Sequence, residues 1–130
     1  LKKIEQTKYY TSICNSAPAE ILSLITLKNQ ESVLARNNQI VAKNLALLDT
    51  FFEESAALFS WVRPQGGCVG FVHYKEGEPV STFCARLVKE KGVLLMPAEI
   101  YEESSNHFRI GFGRQNMPEA LDKLKEFIKL

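Results

Sequence analysis

The chain has no marked charge of either sign: its 130 residues carry 16 Lys and Arg against 15 Asp and Glu, a formal net charge of +1. Nucleic-acid and anionic-membrane binders normally present a strongly basic face. No run of four or more cations occurs here, so neither partner is expected. Long hydrophobic runs are missing too: nothing approaches the roughly 20 apolar residues of a membrane span, and no signal-peptide pattern opens the sequence. Cysteine is scarce. Cys14, Cys68 and Cys84 are odd in number and too far apart for a CxxC pair, so they imply neither zinc nor a disulfide framework, and a reducing cytoplasm is the expected setting. All three read as buried small hydrophobes. His73 and His107 have no acid or thiol at ligand spacing, so no metal site is expected. Internal repeats and low-complexity tracts are absent. The length suffices for one domain with a real core, burying about two-thirds of its unfolded surface.

What is present reads first as helix. Ser16 is a good N-cap, Pro18 suits a first turn, and Glu20 favours the positive end of the helix dipole. Ile21, Leu22, Leu24, Ile25 and Leu27 then form an apolar stripe, which Asn29-Gln30 interrupts. A longer helical pattern covers residues 31–55, with Val33, Leu34, Ile40, Val41, Leu45, Leu47, Leu48, Phe51 and Phe52 recurring at three and four residues. At 1.5 Å per residue it would reach roughly 35 to 40 Å. From Phe59 the period shortens. Ser60-Trp61-Val62-Arg63 reads as a short strand or extended lead-in, Trp61 being expected in core or interdomain packing, and residues 68–74 form a strand after the Gly66-Gly67 turn. Ser81 can cap a helix reaching Lys91, with Gly92 as its stop. Residues 93–96 read as a short buried strand ended by Pro97. Residues 98–106 read as a polar loop, most exposed at Glu102-Glu103-Ser104-Ser105. Asn116 and Glu119 make a capping-box-like start for a last helix with Leu121, Leu124, Phe127 and Ile128 inward. This order predicts an α+β fold, a two-layer α/β sandwich with helices on a small sheet.

One strand carries the most chemical information. In His107-Phe108-Arg109-Ile110-Gly111-Phe112-Gly113, a period of two turns Phe108, Ile110 and Phe112 one way and His107, Arg109, Gly111 and Gly113 the other. Glycines at alternate positions suggest that something comes close to the backbone there. An arginine's planar fork of N–H donors matches a carboxylate bidentately, so the natural guest is a small carboxylic acid. The alternative is an exposed edge-strand arginine in a surface salt bridge.

The run Phe108-Arg109-Ile110-Gly111-Phe112, followed by Asn116-Met117-Pro118-Glu119-Ala120-Leu121, resembles the C-terminal end of class I/II aminotransferases, pyridoxal-phosphate enzymes of fold type I. Three further stretches agree in order. Pro64-Gln65-Gly66-Gly67 resembles the family's entry to the first strand of its small domain. FCARLVKEKGVLLM, followed by Pro97, is similar to its helix, glycine and short strand. SICNSAPAEILSLITL is similar to the large-domain segment that follows the cofactor lysine. The resemblance implies residues 1–30 as a helical remnant of the large domain, 31–56 as a long interdomain helix and 57–130 as the C-terminal small α/β domain.

By the same resemblance Arg109 binds the substrate's α-carboxylate, Glu99 and Tyr101 lie in a substrate loop near the active-site mouth with a role in side-chain selection, and Asn15 and Ser16 lie in a turn that can reach a neighbouring subunit. The segment that carries the Schiff-base lysine in the family does not occur here, and Lys2, Lys3 and Lys8 lack its neighbours. The chain therefore reads as the C-terminal third of a pyridoxal 5'-phosphate enzyme, with no catalytic or cofactor-binding residue of its own, and inactive alone. The implied whole is a cytoplasmic homodimer that moves an amino group from an amino acid to a 2-oxo acid. Apolar surfaces left uncovered in the piece favour self-association. Two alternatives stay open: a stand-alone α+β module binding a carboxylate or a partner without cofactor, and a lyase, mutase or synthase of the same fold.

Overall fold

The computed structural model describes residues 2–12, 14–102 and 105–129. The chain divides into two units, Leu1–Arg36 and Asn37–Leu130. Among the described residues no helix is long and apolar enough to cross a membrane.

The first unit holds α1 (Lys2–Thr11), α2 (Ala17–Lys28) and the opening of α3 (Gln30–Glu54). Nothing in the apolar pattern announces α1, which buries no residue. Ser16 does occupy the N-cap of α2, with extended backbone, but its hydroxyl makes no capping bond. Pro18 explains this correction: it stands at the second helical position, where a cap hydroxyl would otherwise find an N–H. The break between helices narrows to Asn29 alone. Its N–H and its side-chain amide both donate to the Ile25 carbonyl, at 3.1 and 2.8 Å, while its own carbonyl accepts from Val33 N–H at 3.1 Å and starts α3. The apolar stripe of α2, from Ile21 to Leu27, is 52–66% exposed in this unit.

In the second unit the rest of α3 is followed by β1 (Phe59–Trp61), β2 (Val69–Tyr74), α4 (Val80–Lys91), β3 (Met96–Pro97), a 3₁₀ turn (Ala98–Tyr101), β4 (His107–Gly111) and α5 (Met117–Ile128). The strands form one antiparallel sheet in the order β1-β2-β4-β3. Apolar residues alternate with outward ones along β2 and β4, so Val72, Tyr74, Phe108 and Ile110 all fall on one face. Onto that face pack Leu48, Phe51 and Phe52 of α3, Phe83 and Leu87 of α4, and Leu121 and Leu124 of α5. Phe59 is the hub, its ring 5.7 to 6.0 Å from those of Phe51, Phe52, Tyr74, Phe83 and Phe108. The result is the expected α+β sandwich of two layers.

Several local expectations are corrected. Residues 93–96 do not form a strand: pairing begins at Met96, opposite Arg109, and includes Pro97, while Leu94 is 70% exposed. Proline is tolerated there because β3 is an edge strand, where its missing N–H breaks no ladder bond. Ser81 does not cap α4. Its hydroxyl donates to Glu99 Oε1 at 3.1 Å, and the helix start is capped from a distance by Asn106, whose Oδ1 accepts from Val80 N–H at 2.7 Å. No capping box forms at α5, because Asn116 has φ −89° and ψ 11° and its side chain makes no cap bond. The expected loop of 98–106 opens as the 3₁₀ turn, anchored by fully buried Ala98. Of its most exposed stretch, Glu103 and Ser104 lie outside the described residues. Cys84 is buried as expected, but Cys14 and Cys68 are exposed.

Candidate functional site

The helices cover one face of the sheet and leave the other open. Across that open face the register sets Phe71 of β2, Arg109 of β4 and Met96 of β3 in one row, with His73 opposite His107 in the next. β4 lies between β2 and β3, so Arg109 stands on an interior strand and not on an edge. Among the described residues it forms no ion pair. Its guanidinium donates from Nη1 to the Tyr101 hydroxyl at 2.7 Å and lies 6.0 Å from the centroid of that ring. Tyr101 in turn meets Phe71 edge to face at 6.5 Å. Phe71 stacks on His107 at 5.3 Å, and the rings of His107 and His73 are 4.7 Å apart. The arginine is thus held by an aromatic neighbour, and it is exposed, its other guanidinium donors making no hydrogen bond among the described residues.

The two glycines beside it have different roles. A methyl added at Gly111 would meet nothing within 4 Å, so the floor next to Arg109 is open. At Gly113 the same atom would lie 3.0 Å from Cys68 Cβ and 3.2 Å from its Sγ. Gly113 therefore makes room for Cys68, which corrects the expectation of a ligand's close approach there. Beyond Gly111 opens a hollow of about 510 Å³ whose lining includes Met96, Arg109, Gly111, Arg114 and Lys123.

The remaining site residues expected from sequence fall in separate places. Glu99 accepts from Ser81 and so faces the start of α4, while Tyr101, on the same turn, reaches Arg109. Asn15 and Ser16 belong to the first unit, where Asn15 Oδ1 accepts from Lys8 Nζ at 2.7 Å. Trp61 packs against the core, stacked on Phe52 at 4.7 Å, and its indole N–H donates to Asp49 Oδ1 at 3.0 Å. Arg63 Nε donates to the other oxygen of Asp49 at 2.7 Å. Burial opposes ionisation of that carboxyl, but the hydrogen bonds from Trp61 and Arg63 and the Arg63 charge outweigh it and hold the group below its usual range.

Two contributors escaped the sequence pattern. Arg114 lines the hollow but breaks the alternation that marks Arg109. Asn44, on the buried side of α3, donates from Nδ2 to the carbonyls of Phe112 at 2.9 Å and Arg114 at 2.7 Å, tying down the chain just past β4. A polar residue in an apolar stripe was the available signal.

Helices packed on one side of a four-stranded antiparallel sheet match the small domain of a fold-type-I pyridoxal-phosphate enzyme. The chain belongs to the aminotransferase class I and II family, which matches residues 1–124. A PLP-dependent aminotransferase from Streptococcus suis 89-1591 is 32% identical over 96% of this chain and 33% of its own, with a TM-score of 0.87. The PLP-dependent cyclase OrfR shares the fold at 21% identity over 95% of this chain and 35% of its own, TM-score 0.84. So does the aspartate aminotransferase of Thermotoga maritima, at 22% identity over 97% of this chain and 32% of its own, TM-score 0.74. No curated protein gives a significant match. The chain spans about a third of the length of these solved structures.

The residues on the open face do not by themselves fit pyridoxal phosphate. An imine-forming amine and an anion opposite the ring nitrogen are needed. The strands of that face offer Val69, Phe71, His73, Met96, His107 and Arg109, with Tyr101 beside them and neither lysine nor carboxylate among these side chains, while Lys123 and Glu119 line the adjoining hollow from α5.

Proposed function

We propose that this chain is the small domain, with its linking helices, of a pyridoxal-phosphate-dependent aminotransferase that passes an amino group from an amino acid to a 2-oxo acid. Arg109 is its α-carboxylate clamp. The Schiff-base lysine and the cofactor contacts come from residues outside this chain. In this reading residues 1–30 belong to the large domain, 31–56 join the two domains, and 57–130 form the small one. The whole protein is a cytoplasmic homodimer. Asn15 and Ser16 face the neighbouring subunit, and Glu99 and Tyr101 border the active-site mouth.

The observation that carries the reading is Arg109 itself: a guanidinium on an interior strand, free of ion pairs among the described residues and oriented by Tyr101. A bidentate carboxylate would take two of its N–H donors. Fixing that end of the substrate also fixes the reacting carbon, and positioning of this kind can supply on the order of 7 to 11 kcal/mol of the barrier in the best cases.

In the full-length protein Arg109→Leu removes two charge-assisted hydrogen bonds, so KM for carboxylate substrates should rise by about a hundredfold to a thousandfold. An unchanged carboxylate dependence overturns the assignment. Treated alone with pyridoxal phosphate and borohydride, the chain should acquire no stoichiometric label on any one lysine. A single fully labelled lysine would show that it carries its own imine site. The same fold serves a cyclase among the similar structures. Product analysis with an amino acid and a 2-oxo acid together separates transfer from cyclisation or elimination.

A further inference from the structure

We infer that Tyr101 is a second donor to the carboxylate bound by Arg109, and not a selector of side chains. The inference rests on the reading of Arg109 as a clamp and extends the site by one residue. A phenol oxygen can accept twice and donate once. Here it accepts from Arg109 Nη1 at 2.7 Å, and among the described residues its own O–H has no acceptor. Accepting from a cation polarises that O–H and makes it a stronger donor. A carboxylate is acceptor-only, with about four lone-pair sites. One arriving at the guanidinium therefore meets the phenol proton beside it.

The tyrosine is held in place for this. Its turn is fixed by the pairing of Pro97 with Phe108, by buried Ala98, and by the Ser81 hydroxyl donating to Glu99. Its ring is flanked by the edge-to-face contact with Phe71 and by the guanidinium at 6.0 Å. The hydroxyl is directed at the cation that every substrate shares. A residue acting on the common end of all substrates changes their binding uniformly, whereas a side-chain selector changes it unevenly.

The test is steady-state kinetics of the full-length protein carrying Tyr101→Phe, which keeps the ring and removes the hydroxyl. KM should rise about tenfold for the amino acid and for the 2-oxo acid alike, by the same factor across side chains, with kcat within about twofold. Binding of an amino acid amide, which lacks the carboxylate, should not change. Tyr101 is 45% exposed, so its melting temperature should match the parent, and a structural role would predict the reverse pattern. An unchanged KM, or a rise confined to certain side chains, overturns the inference. Arg109→Leu measured alongside separates the two claims. If it abolishes carboxylate dependence while Tyr101→Phe is silent, only the tyrosine's role fails. If it leaves that dependence intact, the clamp reading beneath it fails.

Discussion

Replacing Asn44 by leucine tests what holds the segment just after the arginine strand. Asn44 is 2% exposed, and its amide donates to two carbonyls, those of Phe112 and Arg114. Leucine has a similar volume, so the change removes hydrogen bonds without opening a large cavity. Two neutral bonds contribute about 1 kcal/mol each, and leaving the buried Phe112 carbonyl unsatisfied costs about 1 to 3 more. The expected loss is about 3 to 5 kcal/mol. For a domain of this size that lowers the melting temperature by on the order of 15 to 25 °C. Trp61, the one tryptophan in the sequence, lies in the same unit and reports its unfolding in urea. The midpoint should fall with the slope unchanged. Thr50→Ala, on an exposed turn of the same helix, should stay within about 0.5 kcal/mol of the parent. Asn44→Asp should be worse than leucine, because it points a carboxylate at two carbonyl oxygens. If Asn44→Leu comes within about 1 kcal/mol of the parent at equal slope, the amide is not what secures this segment.

At Gly70 an added methyl would lie 2.5 Å from Trp61 Cζ3, so Gly70→Ala must displace the indole from its stack on Phe52, costing about 1 to 3 kcal/mol. An unshifted tryptophan emission spectrum would refute this, and Gly66→Ala, with nothing within 4 Å, is the control. In the native chain a thiol reagent should modify Cys14 and Cys68 quickly and Cys84 slowly, since burial, with the Glu99 charge, pushes the Cys84 thiol up to about 11. The folded state then keeps a proton that the unfolded chain loses near pH 9, so stability falls as pH rises from about 9 to 11. Three thiols reacting at one rate, or a flat alkaline stability profile of the Cys84-containing unit, would contradict it.

Much of the fold was legible because burial leaves a period in the sequence. The alternation of Phe108, Ile110 and Phe112 placed Arg109 on the open face, and the three-and-four spacing across residues 31–55 located α3 almost to the residue. Helix α1 left no such trace, since it buries nothing. The caps were misread for another reason: capping is settled by tertiary neighbours. Asn106 serves Val80 from far along the chain, and Ser81 turns to Glu99 instead. Gly113 and Gly111 looked alike in sequence, yet only the approach of Cys68 distinguishes them. In the same way, Tyr101 could be tied to its loop from sequence but not to the guanidinium, because Arg109 stands eight positions further on and no local pattern encodes their contact.

Because Arg109 is flanked in sequence by Phe108 and Ile110, both buried, the charge cannot be moved by sliding β4 along its neighbours. A slip of one residue would drive the guanidinium into the apolar layer and turn two large side chains toward water. Where the cation stands is therefore enforced from beneath, by the oil of the core. A redesign that shifts it must come from longer or shorter side chains and not from altered strand pairing.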